Sequence, residues 1–153
     1  MQNPAALFRS FSKVPALGPR LFSRAVTLTA PYFATIAPRF VVLEPGRVEV
    51  AMKNRRAVHN HIGTVHAIAC CNLCELAAGT MIEATLPSTL RWIPRGMTVR
   101  YLKKAETDLV ARARMDTPAD DFVGDSVIAV QVFDTREQVV MEADIAMYVS
   151  RRK

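Results

Sequence analysis

Between His66 and Ala84 small and apolar residues fall on nearly every side of a would-be helix: Ala67, Ile68, Ala69, Leu73, Leu76, Ala77, Ala78, Met81 and Ile82. A helix that is apolar all round has to be covered all round. Glu75 is the one ionised residue before its last turn, and a charge in such company calls for a partner or a role. The segments on either side read as strands. Phe33–Leu43 is rich in β-branched and aromatic residues, Pro45-Gly46 is a turn signal, and Arg47–Lys53 alternates polar with apolar, so the pair predicts a β-hairpin. After the helix, Pro87 and Pro94 bracket a connecting segment. Four runs then follow: Met97–Leu102, Leu109–Met115, Val127–Phe133 and Val139–Val149, with turns at Asp120-Asp121, Gly124-Asp125 and Asp134–Glu137. Helix and strand do not alternate after the long helix, so a doubly wound parallel sheet is not expected. The pattern predicts an α+β chain with one antiparallel sheet wrapped around a central helix. One curved sheet covers one side of that helix, and a second copy of the chain would cover the rest.

The 153 residues fit a single domain, with an N-terminal helical extension over 1–30 and the sheet-and-helix domain over 31–153. In the extension, Leu7, Phe8, Phe11, Val14, Leu17, Leu21 and Phe22 recur at near-helical spacing, broken by Pro15 and Gly18-Pro19. Up to Glu44 the chain has five basic residues (Arg9, Lys13, Arg20, Arg24 and Arg39), several serines and no acid, as a transit peptide would. The helical spacing favours structural helices. Cys70, Cys71 and Cys74 lie too close together for a disulfide framework. They read as reduced core thiols rather than zinc ligands with His66, so neither a metal nor a separate cofactor is expected. Reduced thiols suit the cytoplasm, with the mitochondrial matrix as the alternative if the N-terminus is a transit peptide. No apolar run reaches the ~18 residues of a membrane span. The net charge of +6 favours anionic partners. Its basic groups, Arg55-Arg56, Lys103-Lys104 and Arg151-Arg152-Lys153, lack the interleaved aromatics of a nucleic-acid surface, and no nucleic-acid partner is expected.

The loop Ala57–Val65 carries His59, Asn60, His61 and Gly63-Thr64 and leads into the helix through Val65-His66. The run Asn60-His61-Ile62-Gly63-Thr64-Val65-His66, with Glu75 nine residues after His66, resembles the signature of hotdog-fold acyl-CoA thioesterases of the phenylacetyl-CoA and 4-hydroxybenzoyl-CoA type. That signature has an asparagine in the loop, Gly-Thr-X-His entering the central helix, and an acid nine positions on. Gly96–Ala105, ending Tyr101-Leu102-Lys103-Lys104-Ala105, resembles the family's third strand. The resemblance spans about Pro31 to Ser150 and is strongest to a branch known as domains of unknown function. Two positions depart from the pattern. Ala67-Ile68 stands where the family has Gly-Gly, and Glu75 stands where it usually has aspartate. Ala67 keeps a backbone N–H but crowds the approach of a thioester oxygen.

The resemblance implies an acyl-CoA thioesterase whose coenzyme A enters as part of the substrate. It also implies a homodimer, which could pair further into a tetramer. Thioester hydrolysis puts negative charge on a carbonyl oxygen, which an N–H at a helix N-terminus stabilises; the N–H of His66 or Ala67 is placed for that. Glu75 is the candidate base or nucleophile. Asn60 would hold water or the thioester, and His66 would polarise the carbonyl. His61, Gly63, Thr64 and Ala67 would line the substrate. Arg55, Arg56, Arg95, Arg100, Lys103 and Lys104 are candidates for the phosphates of coenzyme A. Each also has a plainer reading: an ion pair for Glu75, a helix-start histidine for His66, loop residues for His59 and His61, a turn former for Asn60. Tyr101 reads as a packing residue, and Gly63 as a residue with positive φ. Nine residues at ~100° each put His66 and Glu75 on opposite sides of the helix, about 13 Å apart along it. One chain therefore does not bring them together, and the resemblance implies a site shared across the dimer. The alternative is a non-catalytic hotdog module that holds an acyl or aromatic ligand, which Ala67-Ile68 would favour.

Overall fold

The computed structural model describes residues 3–15, 17–116, 118–119 and 121–152. Asp120 of the expected acidic turn and Lys153 of the C-terminal basic group lie outside the described residues. Two helices come first, α1 (Pro4–Ser12) and α2 (Gly18–Thr29), followed by a 3-10 turn at Pro31–Ile36. Asn3 caps α1 by accepting the Ala5 N–H at 2.9 Å, and Pro4 opens the helix where a missing N–H costs nothing. Gly18 lets α2 start against the end of α1: a Cβ there would stand 1.8 Å from the Phe11 carbonyl oxygen.

The hairpin is formed by β1 (Arg39–Glu44) and β2 (Arg47–Met52), with Gly46 at φ 78° in the turn. The expected first strand is shortened from its N-terminal side. Pro31 opens a 3-10 turn that takes up Phe33–Ile36, and Ala37, at φ 45° just before Pro38, redirects the chain into β1. The central helix α3 (Ala67–Thr85) follows, then β3 (Leu90–Tyr101), β4 (Leu109–Arg114), β5 (Gly124–Phe133) and β6 (Val139–Arg151). All pairings are antiparallel, in the order β1-β2-β4-β5-β6-β3. This is the hotdog arrangement, one sheet curled around one long helix. β3 begins earlier than the alternation suggests and runs through Pro94, with its register to β6 shifting between Pro94 and Gly96. An edge strand tolerates proline because one side of its backbone has no ladder to complete.

The inner face of the sheet is Val48, Val50 and Met52 of β2, Ala111 and Ala113 of β4, Val130 and Val132 of β5 and Ala143 and Ile145 of β6, all buried against Leu73, Ala77 and Met81 of α3. With 19 residues and a mean hydropathy of 1.3, α3 meets the length and composition of a membrane span. In this fold it is the core helix, and most of it is buried within the chain. Its coverage is uneven. α1 and α2 close the β1 side, where Phe22 meets Phe8 and Phe40 edge-on at 5.1 Å each. Ser23 of α2 accepts the Phe40 N–H at 3.1 Å, which satisfies a β1 donor that has no strand neighbour. Toward β3 the inner face is open. Met97 and Val99 are only partly buried, Tyr101 is 56% exposed, and beside them α3 leaves Ile68 56% exposed.

Candidate active site

The loop between β2 and α3 is pegged by buried Val58 and Val65 and closed by a bridge between His59 and Val65. Asn60 holds it together from inside. Its Oδ1 accepts the N–H groups of Ile62 and Thr64, both at 3.1 Å, and its Nδ2 donates to Thr64 Oγ1 at 2.8 Å. Gly63 sits at φ 80°, as its place in the loop suggests. Asn60 is therefore the turn former, with one Nδ2 hydrogen left for a ligand.

The donors at the start of α3 are distributed unequally. The His66 N–H donates to the Val58 carbonyl at 2.8 Å, so it is not the free oxyanion donor that the sequence allowed it to be. The Ile68 N–H donates to His66 Nδ1 at 3.0 Å, which makes His66 the N-cap. This bond fixes the tautomer: Nδ1 is bare, and the ring proton is on Nε2, available to donate. Among the described residues no acceptor is drawn to the Ala67 N–H. It stands in the first turn of a 19-residue helix, where the dipole favours a developing negative charge.

Ala67 lines a cavity of about 400 Å³ together with Asn60, Thr64, Tyr101, Lys103 and Lys104. Tyr101 Oη lies 3.6 Å from Cys71 Sγ, and this contact, helped by burial, raises the phenol pKa. From the sequence alone Tyr101 and Cys71 read as packing residues. The signal was the period: 97, 99 and 101 share the inner face of β3, and Cys71 is one turn beyond Ala67 and one turn before Glu75. Cys70 also touches the cavity, but burial pushes its thiol up to about 12, with Cys71 adding to the shift; Cys74 is raised further by the same cause. Neither is a ready thiolate.

The other expected residues divide. Glu75 is exposed and has no ion pair among the described residues, so the arginine-pair reading is not realised. It does not line the cavity of its own chain. His61 and Gly63 lie at the exposed loop tip, outside the cavity. Of the basic candidates, Lys103 and Lys104 stand at the cavity, with Lys103 Nζ donating to Gln138 Oε1 at 2.6 Å. Arg100 is on the opposite face of the sheet, bound to Glu142 at 3.0 Å and Asp144 at 3.3 Å. Arg95 is also turned away, paired with Asp125 at 2.8 Å and stacked over Tyr148. Successive strand residues face opposite ways, so Tyr101 inside requires Arg100 outside. Arg55 donates to the Thr35 carbonyl at 2.7 Å, and Arg56 is exposed near the loop.

Residues 18–149 match a family described as Domain of unknown function (DUF4442). A protein solved by structural genomics is 47% identical, with a TM-score of 0.85 over 97% of this chain and 99% of that one. A protein of unknown function from Pseudomonas aeruginosa, described as a probable thioesterase, is 23% identical, with a TM-score of 0.77 over 91% and 97% of the two chains. A thioesterase family protein from Silicibacter pomeroyi is 20% identical, with a TM-score of 0.72 over 85% and 96%. No curated protein matches the chain. The last two likenesses establish the shared fold; the family match covers most of the chain. The chain belongs to the DUF4442 family, a branch of the hotdog fold of unknown function.

Proposed function

We propose that the protein is an acyl-CoA thioesterase whose two sites are each completed across a homodimer. The observation that carries this reading is the N–H of Ala67, which has no acceptor among the described residues, at the start of α3 in a residue that lines a cavity of about 400 Å³. A thioester carbonyl placed there would be polarised by that N–H and by the helix dipole, with His66 Nε2–H as a second donor. Water would attack the carbonyl carbon, and Glu75 would take its proton. The C–S bond would then break, with the thiolate leaving as coenzyme A and taking up a proton. Glu75 stands nine residues beyond His66, half a helical circumference away, so the carboxylate at a given cavity would belong to the second copy. Lys103 and Lys104 would meet the phosphates at the mouth.

The thioesterase names of the similarly folded proteins support the reaction class. The open inner face beside β3 and the exposed Ile68 support the pairing. The test is thiol release over a panel of acyl-CoAs, comparing the natural chain with Glu75→Ala. Turnover that survives the substitution removes the mechanism. Tight binding with no turnover on any acyl chain favours the second reading, a non-catalytic module holding an acyl or aromatic ligand. That reading has its own support in Asn60, whose amide braces the loop instead of reaching for water.

A further inference from the structure

A larger concavity lies away from the Ala67 cavity. α2, the 3-10 turn Pro31–Ile36 and the adjoining ends of β2 and β4 enclose a groove of about 780 Å³, within the ~300–1,000 Å³ usual for small-molecule sites. Its walls are largely apolar. Leu17, which caps the start of α2, and Leu21 in its first turn line it together with Ala37, Ala51 and Val110. Both leucines are more than 40% exposed although they line a concave surface, so the single chain leaves this wall wet. The groove is preformed. Gly18 locks α2 against α1, and Ser23, buried, ties it to β1 through the Phe40 N–H and to its own helix by donating to the Pro19 carbonyl at 2.7 Å.

The charges at the groove do not cancel. Its three acids are all engaged. Asp108 is held by Lys53 at 2.5 Å and by the Asn54 N–H at 2.9 Å. Asp134 accepts from the backbone of Arg136 and Gln138 at 2.8 and 2.9 Å. Glu137 is paired with Arg112 at 2.6 Å. Arg20, Arg24 and Arg39 also line the groove, and among the described residues none of their guanidinium groups has a partner. Three free guanidiniums above an apolar trough suit a ligand with an alkyl tail and an anionic head, because the fork geometry of arginine matches a carboxylate or phosphate. We propose that this groove binds a free anionic amphiphile of the fatty-carboxylate class, tail along Leu17 and Leu21 and head on Arg20, Arg24 and Arg39. The site is separate from the cavity at Ala67 and does not depend on thioesterase activity.

The probe is laurate below its micellar concentration, titrated calorimetrically into the full-length protein, with dodecanol as an uncharged control. Saturable laurate binding is expected, weakened at least tenfold in the Arg20→Gln/Arg24→Gln/Arg39→Gln variant. All three residues are exposed, so the variant should fold. Leu21→Gln should weaken laurate and dodecanol alike. Laurate binding that is unchanged in the triple-arginine variant would overturn the proposal, because the ligand would then sit elsewhere. So would a complete lack of saturable binding. Phosphatidylglycerol vesicles that co-sediment the protein while free laurate does not bind would also overturn it, because the surface would then dock on a membrane.

Discussion

The two edges of the sheet are finished in opposite ways. At β1 the chain covers itself: α1 and α2 bury Phe8, Phe22 and Phe40 together, and Ser23 takes up the outward Phe40 N–H. At β3 a 12-residue edge strand pairs with β6 on one side and has no strand on the other among the described residues, and the α3 face beside it shows Ile68, Cys71 and Glu75 to solvent. An exposed edge with apolar residues is a template for another strand. The central helix is thus covered by its own sheet, the 3-10 turn and α1 except along the flank beside β3, which under the proposed pairing a second copy would cover. The candidate chemistry lies on the uncovered flank.

The contrast can be broken from either side. Phe22→Ala, on the covered side, should lower the folding stability of the single chain by about 3–5 kcal/mol, read by urea denaturation. A loss below about 1 kcal/mol would mean that α1 and α2 are accessories and not part of the core. Ala67→Pro should abolish most turnover while leaving stability intact. Position 67 is the first of its helix, where proline is well tolerated, and His66 already has the extended backbone that a following proline requires, at φ −66° and ψ 137°. The substitution removes only the candidate oxyanion donor, so kcat should fall by about 10²–10³ with Tm unchanged. A lowered Tm with unchanged kcat would make the N–H structural.

Smaller effects test the open side. Ile68→Asp puts a charge on the exposed face of α3. The proposed pairing would bury this side chain, so by light scattering the variant should stay as folded single chains while the natural protein forms dimers. Pairing that persists would place the interface elsewhere. The smallest effect concerns how β3 holds to β6. The Gln131 amide first, and then Arg100, keeps the Glu142 carboxyl below its usual 4.5. A carboxylate with a depressed folded pKa stabilises the protein above its unfolded pKa and loses that contribution as pH falls. Arg100→Leu should therefore reduce the stability difference between pH 6 and pH 3. An unchanged pH dependence would mean that the pair at β3 contributes nothing.

The central helix and its sheet were legible because nineteen nearly uninterrupted apolar or small residues admit few other structures. The loop motif located the helix start to within a residue, and the half-turn between His66 and Glu75 already implied that one chain separates them. What the sequence hid is directional. The β-branched run up to Leu43 conceals that Ala37 and Pro38 divide a 3-10 turn from a strand. Pro94 looks like a connector because edge status, which permits it, is a property of the whole sheet. The loop-bracing bonds of Asn60 to Ile62 and Thr64 are not visible in the sequence, and Arg95 and Arg100 read as phosphate ligands until the register shift at Pro94/Gly96 turns the first, and the pleat the second, to the outer face.

The claim on which the rest depends is that each site takes its N–H from one chain and its carboxylate from the other. A purified heterodimer of one Glu75→Gln chain and one Ala67→Pro chain tests it directly by thiol release from an acyl-CoA that the natural protein hydrolyses. Shared sites predict about half the natural turnover, since one site keeps both groups intact. A heterodimer as inactive as either homodimer would place both groups within a single chain and contradict the account.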